Sequence, residues 1–325
     1  MPNPANFLKS CIILQNLTWR SAKIADVNLL KEQTKEFLLD RYGIAVSTQS
    51  DIGSLDFYIS DKTHDFISTV YEPSLCIILQ GAKAIGFGDE MYGYDERTYA
   101  LASTHVPLNV SLTDASKEKP YISLCIKFSL DEVYEVLKGV DVKEQSLQKS
   151  EKGIFFGELT DEILEPVLRF VWLLEKPKDK VKFLSELAKK EILYTLVTND
   201  KSGYFLSKFA MQGSVSNKIS KAVAKIKNEF SQKLNMKDVA RECDMSESSL
   251  YHNFKIVTSL SPVAFQKKIR LEEAKNLLVN KNIGVAQAAF DVGYESASQF
   301  SREYARMFGM PPKIHSEILR SGVAS

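Results

Sequence analysis

Cysteine, histidine and long apolar runs are all scarce in this chain of 325 residues. The four cysteines, Cys11, Cys76, Cys125 and Cys243, show no CxxC spacing. They read as reduced thiols of a cytoplasmic protein rather than as a disulfide or metal framework. Cys76 and Cys125 fall in apolar strand-like stretches, where a buried thiol is normally inert; a redox-sensing role is the alternative. Of the four histidines, only His64 and His105 lie in the β-rich part of the chain. Three-ligand metal sites need more nitrogen or carboxylate donors at close spacing, so neither a metal nor a cofactor is expected. No apolar run approaches the roughly 18 residues of a membrane span. The first residues, Met1-Pro-Asn-Pro-Ala-Asn-Phe-Leu-Lys-Ser-Cys-Ile-Ile-Leu, lack a basic start followed by a long apolar core, so they do not read as a signal peptide. No Ser/His/Asp or phosphate-loop arrangement emerges, and an enzyme is not expected.

What is present is an ordinary globular composition, 44% hydrophobic and 26% charged, long enough for two or three domains. The net charge of +1 hides an asymmetry. Residues 214–325 hold 17 Lys and Arg against 11 Asp and Glu, while residues 1–213 hold 25 against 30. The basic excess sits where phosphate contacts would need it if the C-terminal part binds nucleic acid.

That C-terminal part carries one unit twice. The first copy runs Met236-Lys-Asp-Val-Ala240-Arg-Glu-Cys-Asp-Met-Ser246-Glu-Ser-Ser-Leu250-Tyr-His-Asn-Phe254. The second runs Val285-Ala-Gln-Ala-Ala289-Phe-Asp-Val-Gly293-Tyr-Glu-Ser296-Ala-Ser-Gln-Phe300-Ser-Arg302-Glu-Tyr304. Ala240 matches Ala289, and after one extra residue in the second turn Ser246 matches Ser296, Leu250 matches Phe300 and Phe254 matches Tyr304. Small residues at 240 and 289 suit a close helix crossing. Leu250/Phe254 and Phe300/Tyr304 are i, i+4 pairs on one helix face. Ser246 and Ser296 are N-cap candidates, and Gly293 suits a left-handed turn. Each copy reads as a helix-turn-helix, the unit that sets a helix in the DNA major groove. Between them Pro262–Leu278 reads as one connecting helix that begins at Pro262. Such a rod would fix the spacing of two reading helices against major-groove faces about one turn, ~34 Å, apart.

Upstream, residues 24–41 have a helical period. Residues 44–128 change to short β-branched and aromatic stretches: Leu55–Ser60, Ser74–Gln80, Ala84–Phe87, Glu90–Tyr94, Thr98–Ser103, Leu108–Leu112 and Tyr121–Phe128. Turn signals separate them at roughly ten-residue intervals, which predicts a barrel or sandwich. Residues 129–209 return to a helical period, and the polar stretch Gln212–Asn217 is the predicted domain boundary. The expected division is 1–43 for an arm and helix, 44–130 for a barrel, 131–213 for a helical linker and dimerisation region, and 214–325 for a DNA-binding domain. Within the last, the helix-turn-helix units take 236–257 and 285–308 and the connecting helix 262–280.

The stretch Gly293-Tyr-Glu-Ser-Ala-Ser-Gln-Phe-Ser-Arg-Glu-Tyr-Ala-Arg-Met-Phe-Gly-Met-Pro-Pro312, with Ser261-Pro262 and Ile269-Arg-Leu-Glu-Glu-Ala, resembles the AraC/XylS family of bacterial transcription regulators over about 100 residues. Ser259 stands where that family usually has Gly, and His252 where Arg is common. The stretches Val70-Tyr-Glu-Pro-Ser-Leu-Cys-Ile-Ile-Leu-Gln-Gly-Ala-Lys, Gly88-Asp-Glu-Met-Tyr-Gly-Tyr-Asp and Glu118-Lys-Pro-Tyr-Ile-Ser-Leu resemble the AraC-type N-terminal domain of the YqhC-like branch. The resemblance implies an α+β chain, with a cupin-like β-barrel and helical segment followed by an all-α domain with two helix-turn-helix motifs. By the same resemblance Ser248, Tyr251 and His252 in the first unit, and Ala297, Ser298, Gln299 and Arg302 in the second, face DNA bases. Gln pairs bidentately with adenine and Arg with guanine, whereas Lys255 and Arg306 suit phosphate contacts that position without reading sequence. The expected partners are double-stranded DNA, RNA polymerase, a second copy of the chain and a small, partly apolar effector, with no membrane. Tyr71, Tyr92, Tyr94 and Tyr99 are the candidate effector-binding residues in the barrel, though any of them could simply be core. The alternative is a cupin-type enzyme or ligand-binding module fused to a non-specific nucleic-acid-binding domain.

Overall fold

The computed structural model describes residues 26–44, 48–140, 151–281 and 283–320. The arm before residue 26, with Cys11, lies outside the described residues. Helix α1 (Val27–Tyr42) opens on an Asp26 cap, whose carboxylate accepts from the Asn28 and Leu29 amides. Its Thr34 hydroxyl accepts from the Trp172 indole N–H at 2.9 Å, which fixes the helix to the short 3-10 turn Trp172–Glu175.

The β-rich region forms two antiparallel sheets. The larger joins β1 (Thr48–Gln49), β2 (Leu55–Ser60), β9 (Tyr121–Lys127), β4 (Ser74–Gln80), β7 (Thr98–Ala102) and β10 (Ile154–Glu158) in that spatial order. The smaller joins β3 (His64–Tyr71), β8 (Val106–Asp114), β5 (Ala82–Phe87) and β6 (Glu90–Asp95). The expected barrel is corrected here: among the described residues no strand pairs across the two sheets, so the fold is an open sandwich. Two strands also fall outside the sequence expectation. His64–Tyr71 was not anticipated, and Ile154–Glu158 lies within a stretch predicted to be helical. β10 pairs with β7 in full register, Ile154 opposite Ala102 and Glu158 opposite Thr98, so tertiary pairing overrides a weak local signal.

Alternation along the central strands decides which face is which. On β4, Leu75, Ile77 and Leu79 join the cluster under the helices, whereas Cys76 and Ile78 face the second sheet. The outer face is covered by α2 (Leu130–Leu137), α3 (Asp161–Val171), α4 (Lys178–Thr198) and α5 (Asp200–Ala210). α2 starts in a capping box in which Ser129 and Glu132 satisfy each other's backbone amides, the reciprocal arrangement that seals a helix start.

The C-terminal helices are α6 (Val215–Asn228), α7 (Met236–Glu242), α8 (Glu247–Thr258), α9 (Pro262–Asn280), α10 (Val285–Asp291), α11 (Ala297–Phe308) and α12 (Pro312–Arg320). The polar stretch Gln212–Asn217 is not an open linker: Ser214, Ser216 and Asn217 are buried. Ser214 caps α6, its hydroxyl donates to the Lys208 carbonyl, and the Asn217 amide donates to the Phe209 carbonyl at 2.8 Å. One apolar cluster therefore runs from the outer sheet face through α3–α6 into the first helix-turn-helix, taking in Leu250, Phe254 and Phe265. The second unit has its own cluster around Leu271, Ala289, Phe300 and Tyr304. Removing a fully buried ring such as Phe300 would destabilise it by about 3–5 kcal/mol.

Candidate DNA interface and effector cavity

The two helix-turn-helix units repeat down to single hydrogen bonds. The Met245 amide donates to the Ala240 carbonyl at 2.9 Å, and the Tyr294 amide to the Ala289 carbonyl at 3.0 Å. Asp244 and Gly293 take the matching left-handed turn position with φ of 52° and 87°. In the second unit a Cβ on Gly293 would meet the Ser231 carbonyl at 2.0 Å, so glycine is required there. Ser246 and Ser296 cap their helices through the amides of Ser249 and Gln299. Each helix then ends on a left-handed residue, Ser259 at φ 63° and Gly309 at φ 77°. Ser259 thus holds the backbone conformation that glycine favours.

α9 joins the units and is fixed to the end of α6. Arg270 Nε donates to the Phe230 carbonyl at 2.7 Å, and Gln266 Nε2 donates to the carbonyls of Phe230 and Gln232 at 3.0 and 2.8 Å. On α8, Ser248, Tyr251, His252 and Lys255 are exposed while Leu250 and Phe254 are fully buried. On α11, Ser298, Gln299, Arg302 and Arg306 are exposed, Ala297 is half-buried, and Phe300 and Tyr304 are fully buried. All nine predicted DNA-facing positions therefore lie off the buried stripe of their helices. Arg302 and Arg306 form no ion pair among the described residues, and Gln299 leans on Glu303 at 3.4 Å.

Between the sheets lies a cavity of about 510 Å³. Its walls include Tyr58, Tyr71, Lys83, Tyr121 and the thiols of Cys76 and Cys125. Lys83 is the residue that sequence reasoning missed. Its signal was present: it alternates with Ile85 and Phe87 along β5, so it points inward. Lys83 is 6% exposed. Burial alone would strip its charge, but Nζ donates to the Tyr71 hydroxyl at 3.0 Å and lies over the rings of Tyr94, Tyr71 and Tyr121 at 5.1, 5.5 and 5.9 Å. These contacts keep it protonated. Burial pushes the Tyr94 and Tyr121 hydroxyls up, against the nearby Lys83 ammonium, and the Tyr94 hydroxyl has no hydrogen-bond partner among the described residues.

Of the four predicted effector tyrosines, Tyr71 lines the cavity and Tyr94 packs on Lys83 behind it. Tyr92 stacks on Phe156 at 4.8 Å and donates to Glu90, away from the cavity wall. Tyr99 is on the opposite face of the larger sheet, in the helix-covered core beside Phe155. The period-2 pattern separates these positions only when the partner sheet is known.

The cavity mouth is tied to the C-terminal half. Glu72 on its rim pairs with Lys227 of α6 at 3.3 Å and with Lys127 at 3.8 Å, and Lys275 of α9 reaches the lining. Among the described residues no group of three His, Cys, Asp or Glu could hold a metal ion, and no helix is long and apolar enough to cross a membrane.

Two family models match the chain. The AraC-type transcriptional regulator N-terminus matches residues 51–204, and a helix-turn-helix domain matches residues 239–315. The transcriptional activator RhaS of Salmonella agona is 25% identical over 188 residues, 56% of this chain and 64% of RhaS. RhaS of Salmonella typhimurium is 24% identical over the same length. The chain thus spans 64% of the length of these curated relatives. Among solved structures, ToxT of Vibrio cholerae with bound unsaturated fatty acid aligns at a TM-score of 0.54 with 14% identity, covering 83% of this chain and 97% of ToxT. ToxT bound to (E)-4-(8-methylnaphthalen-1-yl)but-3-enoic acid aligns at 0.53 with 15% identity, covering 82% and 99%. The ToxT likeness establishes the fold, and the two models with the duplicated helix-turn-helix place the chain by descent: it belongs to the AraC/XylS family of transcriptional regulators.

Proposed function

We propose that this protein regulates transcription by sequence-specific DNA binding, and that a small amphipathic anion held between its sheets sets its DNA affinity. One observation carries the reading. A buried ammonium, Lys83, faces a cavity whose rim residue Glu72 is salt-bridged to α6 at the entrance to the helix-turn-helix half. A sandwich interior needed only for packing would be apolar. This one presents a cation, tyrosine rings and the Tyr121 hydroxyl to a space large enough for a drug-sized ligand. Both ToxT ligands are carboxylic acids with an apolar body, and the chemistry of this cavity suits that class. Such a ligand would act only through different affinity for two arrangements of the halves.

In this reading Gln299 and Arg302 are the principal base readers, and Lys255 and Arg306 hold phosphates. The domains divide near residue 213, despite the buried contacts there. A homodimer through α4 accompanies the reading: Phe183, Leu187 and Tyr194 form an exposed stripe, at 69%, 53% and 53% exposure, that a second copy would cover. RNA polymerase as a downstream partner rests on the family alone. The test is a gel shift of the full chain on its own upstream DNA, with and without palmitoleate, alongside Lys83→Met. The expected result is salt-resistant sequence preference that palmitoleate changes in the wild type and not in the variant. Binding without sequence preference would favour a ligand-binding module fused to a non-specific nucleic-acid domain.

A further inference from the structure

We propose that Cys76 and Cys125 are a modification site of their own: a dithiol that peroxides convert to a reversible cross-strand disulfide inside the cavity. This does not depend on the effector reading.

The two residues are direct Cα partners on β4 and β9. Directly opposed residues of an antiparallel pair have Cα atoms about 4.5–5.5 Å apart, within the ~4.4–6.8 Å that a disulfide spans. Their sulfurs already lie 3.5 Å apart. Closing to a bond of ~2.05 Å needs side-chain rotation rather than strand movement. Both side chains point to the inter-sheet face and line the cavity, so an oxidant of peroxide size has a route to them. Two opposed thiols on a cavity wall differ from the ordinary buried cysteine, which has neither a partner nor access.

The local chemistry assigns the order of events. In the neutral pair the Cys76 thiol donates to the Cys125 sulfur. Once Cys76 ionises the Cys125 thiol can donate back, and that contact, against burial and with help from the nearby Lys83 ammonium, brings Cys76 down to about 7. Cys125 is pushed up by that same contact and by burial. Cys76 is therefore the thiolate that attacks. Its sulfur takes one oxygen from the peroxide as the O–O bond breaks, giving a sulfenic acid, and the other oxygen leaves as hydroxide and is protonated to water. The Cys125 sulfur then attacks the sulfenic sulfur, the S–O bond breaks, and the hydroxyl leaves as a second water with the Cys125 proton. Two thiols lose two electrons and hydrogen peroxide gains them; an organic hydroperoxide would give an alcohol and one water. The new bond forms beside Lys83 and Ser74, whose hydroxyl lies 3.8 Å from Cys76.

The experiment exposes the full chain to a small excess of hydrogen peroxide at neutral pH, blocks remaining thiols with N-ethylmaleimide and maps the peptides. The expected result is a linked Cys76–Cys125 peptide, loss of two hydrogen masses, and reversal by dithiothreitol. Burial raises the Cys243 thiol, so Cys76 should be consumed more than roughly tenfold faster than Cys243, following thiolate fraction. In Cys125→Ala the linked peptide should disappear and dimedone should trap Cys76 as the sulfenic acid. The proposal is overturned if both thiols stay alkylatable while Cys243 oxidises. It is equally overturned if Cys76 pairs with Cys11 or Cys243 instead, or if Cys125→Ala leaves the mass loss unchanged. The wild-type map decides the matter even should the variant fail to fold.

Discussion

The backbone amide of Gly153 donates to the carbonyl of Val257 at 2.8 Å. This bond joins the chain entering β10 to the last turn of α8, where helix carbonyls lack intrahelical partners. The neighbouring residues strengthen the junction. Glu151 pairs with the buried Lys208 at 2.8 Å, and its amide donates to the Ser216 hydroxyl at 3.3 Å. The Gly153 carbonyl accepts from the Ser103 amide at 3.0 Å. Residues 151–153 therefore touch α5, α6, the larger sheet and the first helix-turn-helix at once.

Gly153→Ala should loosen this junction. A Cβ there would sit 2.7 Å from the Val257 oxygen and 2.8 Å from Val106 Cγ2, so either α8 or the sheet must give way. Overpacking of this kind costs about 1–3 kcal/mol. Calorimetry should show a lower Tm for the full chain. An unchanged Tm would mean that the two halves already slide freely at this point.

Arg302→Ala and Lys255→Ala should fail differently on DNA. A lost bidentate base contact removes about 1–3 kcal/mol of discrimination at one position. A lost phosphate contact weakens binding evenly and flattens the salt dependence. Competition binding across all single-base variants of the site would separate them. Identical profiles for wild type and Arg302→Ala would remove Arg302 from the base readers.

Limited proteolysis should spare residues 205–220. Polar composition alone marks 212–217 as the place to cut, but Ser214, Ser216 and Asn217 are buried and hydrogen-bonded. Nicking follows exposed, unpaired backbone rather than polarity. Early cleavage within 205–220 by a protease of broad specificity would show that these contacts do not hold in solution.

The C-terminal half was the more legible part of the sequence, for a physical reason. Its signals are local: caps at Ser246 and Ser296, i, i+4 pairs, and Pro262 at a helix start, each confirmed within one or two residues. The sheets were less legible because their meaning lies in pairing. β10 looks helical until β7 is placed beside it. Tyr99 and Tyr71 look alike in sequence and end on opposite sides of the larger sheet. Lys83 could have been read from its place between apolar positions on β5. The opposition of Cys76 and Cys125, 49 residues apart, depends on a register that no local pattern reports.

His105 gives the interface a pH dependence whose sign follows from its surroundings. Burial, and then the Lys227 ammonium, depress its imidazole to about 4 against an ordinary value of 6.5, with Glu72 opposing. The Glu72 carboxylate lies 4.0 Å from Nε2 and also answers Lys227 and Lys127. Because the folded value is the lower one, the unfolded chain binds the proton more readily. Stability from this residue is therefore complete above pH 6.5, falls as the pH drops through the window from 6.5 to about 4, and is constant below it. Each unit of difference corresponds to roughly 1.4 kcal/mol. Urea unfolding at pH 7 and pH 5 should show a larger loss for the wild type than for His105→Asn, which cannot take up the proton. Equal losses in the two proteins would place the His105 ring in water rather than against α6.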